Sequence, residues 1–379
     1  MKVLGIVAEY NPFHTGHIYH LQKAIELVHP DYTVVVMSSS FVQRGEPAII
    51  DKWQRSKIAV LHGADLVIEL PFVATVQSAD YFAHYSLLLL HEMGVTDLVF
   101  GSESGDVDTF IEIAKAIEEN QETYDQYVKD AMQLGLRYPD ATNKALSMLL
   151  HKEVRTPNDL LGLAYAKEII HHHYQITPHV IKRTNDYHET QLEAISSATA
   201  LRKALLKNED VQAYLPEYVA YQNDHFFSLD EFFEELKYAV LFHHDLSRLH
   251  LVEEGLDHRL VKTITQVNSM HDLVEAMSSK RYTKVRIQRM LCHILLNNTK
   301  EDVKAAMQID YIRLLAFNDH GRELIKIRKD QTDFHILTSI NQYDHPALAI
   351  EKKASLLLSL KDETVYKKEY RSIPYLKKS

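Results

Sequence analysis

The chain has 379 residues, 46% of them apolar, and a formal net charge of −10. That length suits two or three domains with a sizeable core, and the acidity excludes a protein coated in positive charge for nucleic acid while leaving room for a local basic patch. One cysteine, Cys292, excludes an internal disulfide and a thiolate zinc site, and the longest leucine run, Leu87 to Leu90, is far too short to span a bilayer.

The chain opens on an apolar run, Val3 to Ala8, which reads as a short buried strand. Because this run starts at once, without a signal-peptide pattern, a soluble cytoplasmic protein is expected. Tyr10-Asn11-Pro12-Phe13 breaks the run. His14-Thr15-Gly16-His17 then leads into an amphipathic stretch through Leu21, Ala24, Ile25 and Leu27. The pattern is strand, loop, helix, with two imidazoles at the helix start. Helix N-termini present unpaired N–H groups and favour phosphate. Histidines three residues apart share one face of the first turn, and Gly16 lets a ligand approach the backbone. The arrangement suits a nucleotide triphosphate, with His14 and His17 stabilising charge on the phosphate under attack.

Further strands are expected at Tyr32–Met37, Leu66–Pro71, Asp97–Gly101 and Ile176–Lys182. Helical patterns separate them at Ile18–Val28, Lys52–His62 and Ala79–Met93. More helices follow at Asp108–Asn120, Thr123–Leu134, Asn143–His151, Asn158–His171 and Ser197–Leu206. Strands alternating with helices imply a parallel sheet with crossover helices, an α/β, Rossmann-like fold. Beyond Lys207 the spacing turns mostly helical, with Tyr311–Phe317 included among the helices. The expected division is a nucleotide-binding domain over 1–206 and a mainly α-helical domain over 207–379.

Ligands of an open parallel sheet bind beyond the carboxyl ends of its strands. Four polar segments fall there: His14 to His17, Ser38 to Pro47, Gly101-Ser102-Glu103, and Arg183 to His188. The last leads to Ile195-Ser196-Ser197-Ala198-Thr199-Ala200-Leu201-Arg202, where Ser196, Ser197 and Arg202 are secondary candidates for phosphate. Singly, each has a plain explanation as a cap or strand end. Together, at one sheet edge, they favour a nucleotide site. His171-His172-His173 reads as a solvated helix end, since consecutive histidines cannot all face one way, and no metal ligand set is assigned. In the second half, Lys280, Arg281, Lys284, Arg286 and Arg289 interleave with Tyr282. They fit RNA phosphate contacts, and they equally fit a charged helix face packed through Ile287 and Leu291.

His14-Thr15-Gly16-His17 with Ile195 to Arg202 resembles the two signatures of the HIGH-type nucleotidylyltransferase superfamily. With the fuller Gly5 to His17 string, Phe41 to Ala48, Pro157-Asn158-Asp159-Leu160-Leu161-Gly162 and Lys280-Arg281-Tyr282-Thr283, the chain resembles the bacterial tRNA(Met) cytidine acetate ligase family over nearly its whole length. That resemblance implies ATP and acetate as substrates, an acetyl-adenylate intermediate, and N4-acetylation of the wobble cytidine of elongator tRNA(Met). It implies ATP contacts along Val7-Ala8-Glu9-Tyr10-Asn11-Pro12-Phe13-His14-Thr15-Gly16-His17-Ile18-Tyr19-His20 and at Gly101, Asn158 and Arg183. Magnesium is a candidate phosphate partner without an evident carboxylate pair. Two rivals remain on sequence grounds: an adenylyltransferase for a small phosphorylated metabolite, and a non-catalytic RNA-binding protein.

Overall fold

The computed structural model describes residues 1–183, 198–217, 225–242, 245–253 and 255–378. Ser196 and Ser197 lie outside the described residues. Ten strands are present among those described: β1 (Val3–Ala8), β2 (Tyr32–Ser38), β3 (Phe41–Val42), β4 (Glu46–Pro47), β5 (Leu66–Leu70), β6 (Asp97–Ser102), β7 (Thr177–Lys182), β8 (Tyr311–Asn318), β9 (His335–Leu337) and β10 (Tyr375–Lys377).

Eight of them form one sheet in the order β10-β8-β5-β2-β1-β6-β7, with β9 beside β8. The pairs β5-β2, β2-β1, β1-β6 and β6-β7 are parallel, as the alternation of strands and helices predicts. All seven residues of β2 are buried, which is why the strand is a continuous apolar run. Side chains still alternate in direction. Val34 and Val36 join an apolar cluster on one face, while Val35 and Met37 join another on the opposite face. The helices Thr15–Val28 and Lys52–Leu61 cover the second face through Leu21, Ala24, Ile58 and Ala59. The helices Ala79–Glu92, Val107–Glu119 and Pro157–His171 cover the first.

The expected boundary near residue 207 is crossed by both core and sheet. Leu260, Ile287 and Leu291 share the first-face cluster with Val34 and Leu66. Tyr311–Phe317, expected as a helix, is a strand, and it pairs antiparallel with β5. Six of the strand's eight residues are buried, Arg313 among them, and such a short, mostly apolar run fits either structure by periodicity. β10 then pairs parallel with β8. The rest of the second half is mainly helical, as expected.

Candidate active site

β1 and β6 are neighbours in the sheet, and their carboxyl ends lead into the His14 and Gly101 segments. After β1, Tyr10 adopts a left-handed backbone at φ 48°, and Tyr10 and Phe13 pack edge to face at 4.6 Å. Asn11 is nearly buried; its Oδ1 accepts the Ile49 N–H at 2.7 Å. The Asn11 carbonyl accepts from Arg202 Nη1 at 2.9 Å, and Arg202 also lies 3.4 Å from Glu46. Arg202 is therefore brought to the loop, where it braces a backbone carbonyl.

His14 does not sit within the first helical turn. It is the N-cap, in extended conformation, and its Nδ1 accepts the Gly16 N–H at 3.0 Å. In return, the His14 N–H donates to His17 Nδ1 at 3.2 Å, a capping box made of two imidazoles. The rings stack with centroids 3.9 Å apart. The Thr15 N–H donates to the Tyr214 carbonyl at 3.1 Å. The backbone donors expected to meet phosphate at this helix start are thus already engaged. Both rings use Nδ1 as acceptor, so the ring proton of each sits on Nε2. Nε2–H is the donor left to a ligand.

Burial, followed by the nearby Arg183 charge, lowers the His14 pKa to about 4. Burial, then His14, His20 and Arg183, holds His17 well below the ordinary imidazole value. His20 falls to about 4 by burial and by Arg183, and its Nε2 is buried without a hydrogen-bond partner among the described residues. Three neutral imidazoles beside one guanidinium make a donor-rich cluster that an anion would complete. The unfolded chain binds protons on these rings near pH 6.5, whereas the native chain keeps His14 and His20 neutral down to about 4. Stability present above pH 6.5 is therefore lost as pH falls towards 4. Thermal melts across that window should fall less steeply for a His14→Asn, His20→Asn variant than for the parent chain.

Gly16 has a second use. A Cβ there would lie 2.8 Å from His14 Cε1, so the ring occupies the space that glycine leaves. Gly16→Ala gains up to about 1 kcal/mol of helix propensity but displaces the His14 ring that caps the same residue, a loss of about the same size, so thermal stability should stay near the parent's. Tilting His14 should lower ATP turnover by about tenfold or more. Melting and pyrophosphate release, measured together, should show turnover falling without a matching fall in melting temperature.

Arg183 follows β7, and its N–H donates to the Ser102 carbonyl at 2.8 Å. A Cβ on Gly101 would stand 3.3 Å from the Arg183 side chain. Asn158 donates to Glu103, and the Asp159 N–H donates to the same carboxylate at 3.1 Å. The Asp159 carboxylate accepts from Ser102 Oγ at 2.5 Å and from the Glu103 N–H at 3.0 Å. Burial works to raise the Asp159 pKa, but hydrogen bonds from Ser102, Thr156, Ser104 and Glu103 outweigh it and hold the group below its usual value. The β6 loop and the start of the helix Pro157–His171 are locked together by this exchange. Gly101, Asn158 and Arg183 are thereby gathered at the carboxyl ends of β6 and β7.

Sequence reasoning missed Arg55. It is fully buried, and its guanidinium donates to the carbonyls of Ile50, Glu9, Ser38 and Ser39. One side chain thus ties the loop after β1 to the loop after β2. Glu9 Oε1 accepts the Gln43 N–H at 2.7 Å, and burial raises its pKa. No motif marks Arg55, because its partners are backbone carbonyls distant in sequence.

The five expected RNA-contacting cations separate. Lys280 and Arg281 are exposed. Lys284 is also exposed but pairs with Glu275. Arg286 donates to the Leu251 carbonyl at 2.9 Å and lies 3.3 Å from Glu253. Arg289 Nε donates to the Gln43 carbonyl at 2.6 Å. Gly45, at φ +77°, lets that turn touch the helix Lys284–Leu295; a Cβ there would meet the Arg289 nitrogen at 2.4 Å. The basic helix is thus a support for the loop beside the site as well as a charged face.

A family profile described as HIGH Nucleotidyl Transferase matches residues 1–372. The tRNA(Met) cytidine acetate ligase of Bacillus subtilis is 37% identical over 98% of this chain and 95% of its own length. The chain belongs to the tRNA(Met) cytidine acetate ligase family. A member from Fervidobacterium nodosum is 38% identical, covering 93% of this chain and 87% of that protein. Crystal structures of Thermotoga maritima TmcAL, one apo and one bound with alpha-thio ATP, each superpose with a TM-score of 0.88 at 32% identity, covering 100% of both chains. Among the described residues, no helix is long and apolar enough to cross a membrane.

Proposed function

We propose that the chain uses ATP and acetate to acetylate N4 of the wobble cytidine of elongator tRNA(Met). The observation that carries this reading is the pair of neutral, Nε2-protonated imidazoles, His14 and His17, beside Arg183 at the β1 and β6 carboxyl ends. It is supported by full-length similarity to a structure bound with an ATP analogue. An acetate oxygen attacks the α-phosphorus, the bond to the β-phosphate oxygen breaks, and pyrophosphate leaves. The cytidine N4 then attacks the acetyl carbon, AMP leaves, and the nitrogen gives up a proton. The first step needs positioning and charge stabilisation rather than covalent help from the protein. His14 and His17 donate to phosphate oxygens as charge builds, and Arg183 adds a fixed positive charge. Gly101 and Asn158 border the nucleotide. Magnesium, as a counter-ion of the triphosphate, would offset phosphate charge, and Glu9, Glu103 and Asp159 would not be its first ligands because each already accepts protein hydrogen bonds.

Transfer RNA is proposed to rest on the exposed end of the basic run, at Lys280 and Arg281. The test is incubation with ATP, acetate and bulk tRNA, followed by nucleoside mass spectrometry. N4-acetylcytidine should appear only when all three are present; pyrophosphate release that instead requires a phosphorylated metabolite would point to the small-molecule adenylyltransferase. A Lys280→Glu, Arg281→Glu variant should bind tRNA more weakly. Its logarithmic salt slope should be shallower by about 1–2, while tRNA-independent ATP turnover stays intact. An unchanged slope would place the RNA elsewhere.

A further inference from the structure

We propose that His84, Glu168 and His172 form a binding site for a zinc-class divalent transition metal, clamping the helix Ala79–Glu92 to the C-terminal end of the helix Pro157–His171. One ligand atom from each residue can be chosen so that all lie within 4.8 Å of one another. Glu168 Oε2 stands 2.8 Å from His84 Nδ1 and 3.3 Å from His172 Nε2. Ligands on a tetrahedral zinc at bond lengths near 2.1 Å are separated by about 3.4 Å. The Glu168–His172 separation is already near that value. The Glu168–His84 contact is a hydrogen bond that opens by about 0.6 Å as Nδ1 gives up its proton and the metal takes its place, and the imidazole nitrogens, within 4.8 Å of each other, close by up to about 1.4 Å.

The sequence explains the convergence only in part. Glu168 and His172 are four residues apart and therefore stack on one helical face. His84 arrives from a different helix, which is why the His171-His172-His173 run looks like a solvated end when read alone. The two rings are tilted by 47° with centroids 5.2 Å apart rather than stacked flat, and each presents a nitrogen to the same Glu168 oxygen. His172 is backed by Tyr174, stacked at 5.3 Å, and Tyr174 is itself stacked on His91 at 4.3 Å. Such outer support fixes the plane of a ligating ring. Two nitrogens and one carboxylate oxygen suit zinc or cobalt, and disfavour magnesium or calcium, which prefer all-oxygen shells. With side chains 31%, 17% and 34% exposed, the outer coordination position is left to water.

The site is remote from the nucleotide. Asn158 and Asp159 sit at the opposite end of the same helix, about 20 Å away by helical rise. The metal's effect should therefore be read as binding and stability. Full-length, chelator-treated protein would be titrated with zinc chloride by calorimetry, and with cobalt(II) by visible absorption. The expected result is one zinc equivalent of micromolar or tighter affinity, a melting temperature raised by a few degrees, and an intense tetrahedral cobalt band. Magnesium chloride should produce none of these. His84→Gln, His172→Gln should remove that equivalent and that band while keeping the wild-type circular dichroism; Glu168→Gln should weaken both. The chain has 23 histidines, so the difference between parent and variant is decisive. A parent protein without the cobalt band would overturn the assignment, as would a folded double variant that still binds the same equivalent.

Discussion

Replacing His14 or His17 with alanine is expected to slow ATP-dependent acetylation by about 100- to 1,000-fold, the usual effect of removing one aligned donor from a developing oxyanion. The rings form a unit in which each Nδ1 is held by a backbone N–H. Removing either takes away the ring stacked 3.9 Å from the other, while the surviving Nδ1 keeps its backbone N–H; each single variant therefore loses one donor, and the double variant should be slower than either. The cap itself has a structural value of about 1 kcal/mol, which must be separated from catalysis. His14→Asn makes the separation: asparagine can still accept the Gly16 N–H, but it offers no donor at the Nε2 position. Its stability should stay close to that of the parent while turnover falls with the alanine variant. Acetate-dependent pyrophosphate exchange, run beside thermal melts, reads both quantities. Full turnover in a folded His14→Ala, His17→Ala protein would remove the imidazoles from the mechanism.

The site was legible in sequence wherever function depends on neighbours along the chain. Strand, breaker and His14-Thr15-Gly16-His17 together announce a βα unit, and the apolar runs of β1, β2, β5 and β6 announce the sheet around it. Gly101 is legible from its place at a strand end and Asn158 from motif resemblance, and Asp159 and Glu103 show why those segments meet: each supplies the carboxylate that satisfies the other's backbone. What stayed hidden depends on partners far away in sequence. Arg202 and Arg289 read as phosphate or RNA cations, yet their nearest acceptors are the Asn11 and Gln43 carbonyls. Tyr311–Phe317 read as a helix because nothing local reports that β5, some 250 positions earlier, offers it an unpaired edge. Local propensity cannot see a strand whose partner is that remote.

The same distant strand carries the largest expected stability effect. Arg313, on β8, is fully buried with Lys52, Glu69, Glu351 and Glu369. Arg313 Nη1 lies 3.2 Å from Glu69 and 2.5 Å from Glu369, and Lys52 Nζ lies 2.9 Å from Glu369 and 3.7 Å from Glu351. Two cations thus face three carboxylates drawn from five separate elements. Burial, followed by Glu69, raises the Glu351 pKa to about 7, so it takes up a proton readily and relieves the excess negative charge. Glu369 goes the other way: burial opposes its charge, but Arg313 and Lys52 bring it down to about 2. Arg313→Met keeps the volume and removes the charge, leaving three carboxylates facing one ammonium in a dry interior. The expected cost is about 3–5 kcal/mol, measured by urea denaturation at pH 7. Lys23→Met, which breaks an exposed pair with Glu26, should cost less than about 1 kcal/mol. The loss should reach the nucleotide as well. Glu69 lies on β5 opposite Met37 of β2, and Lys52 begins the helix whose Arg55 holds the Ser38, Ser39 and Glu9 carbonyls. Loosening the cluster therefore loosens the loops around His14, and ATP affinity should fall together with stability. A matched set in which Glu69 and Glu369 are also made apolar should recover most of the stability, because well-packed apolar groups can replace a buried ion network at little net cost. Recovery of stability without recovery of ATP affinity would show that the charges position the site and do more than hold β8 in the sheet.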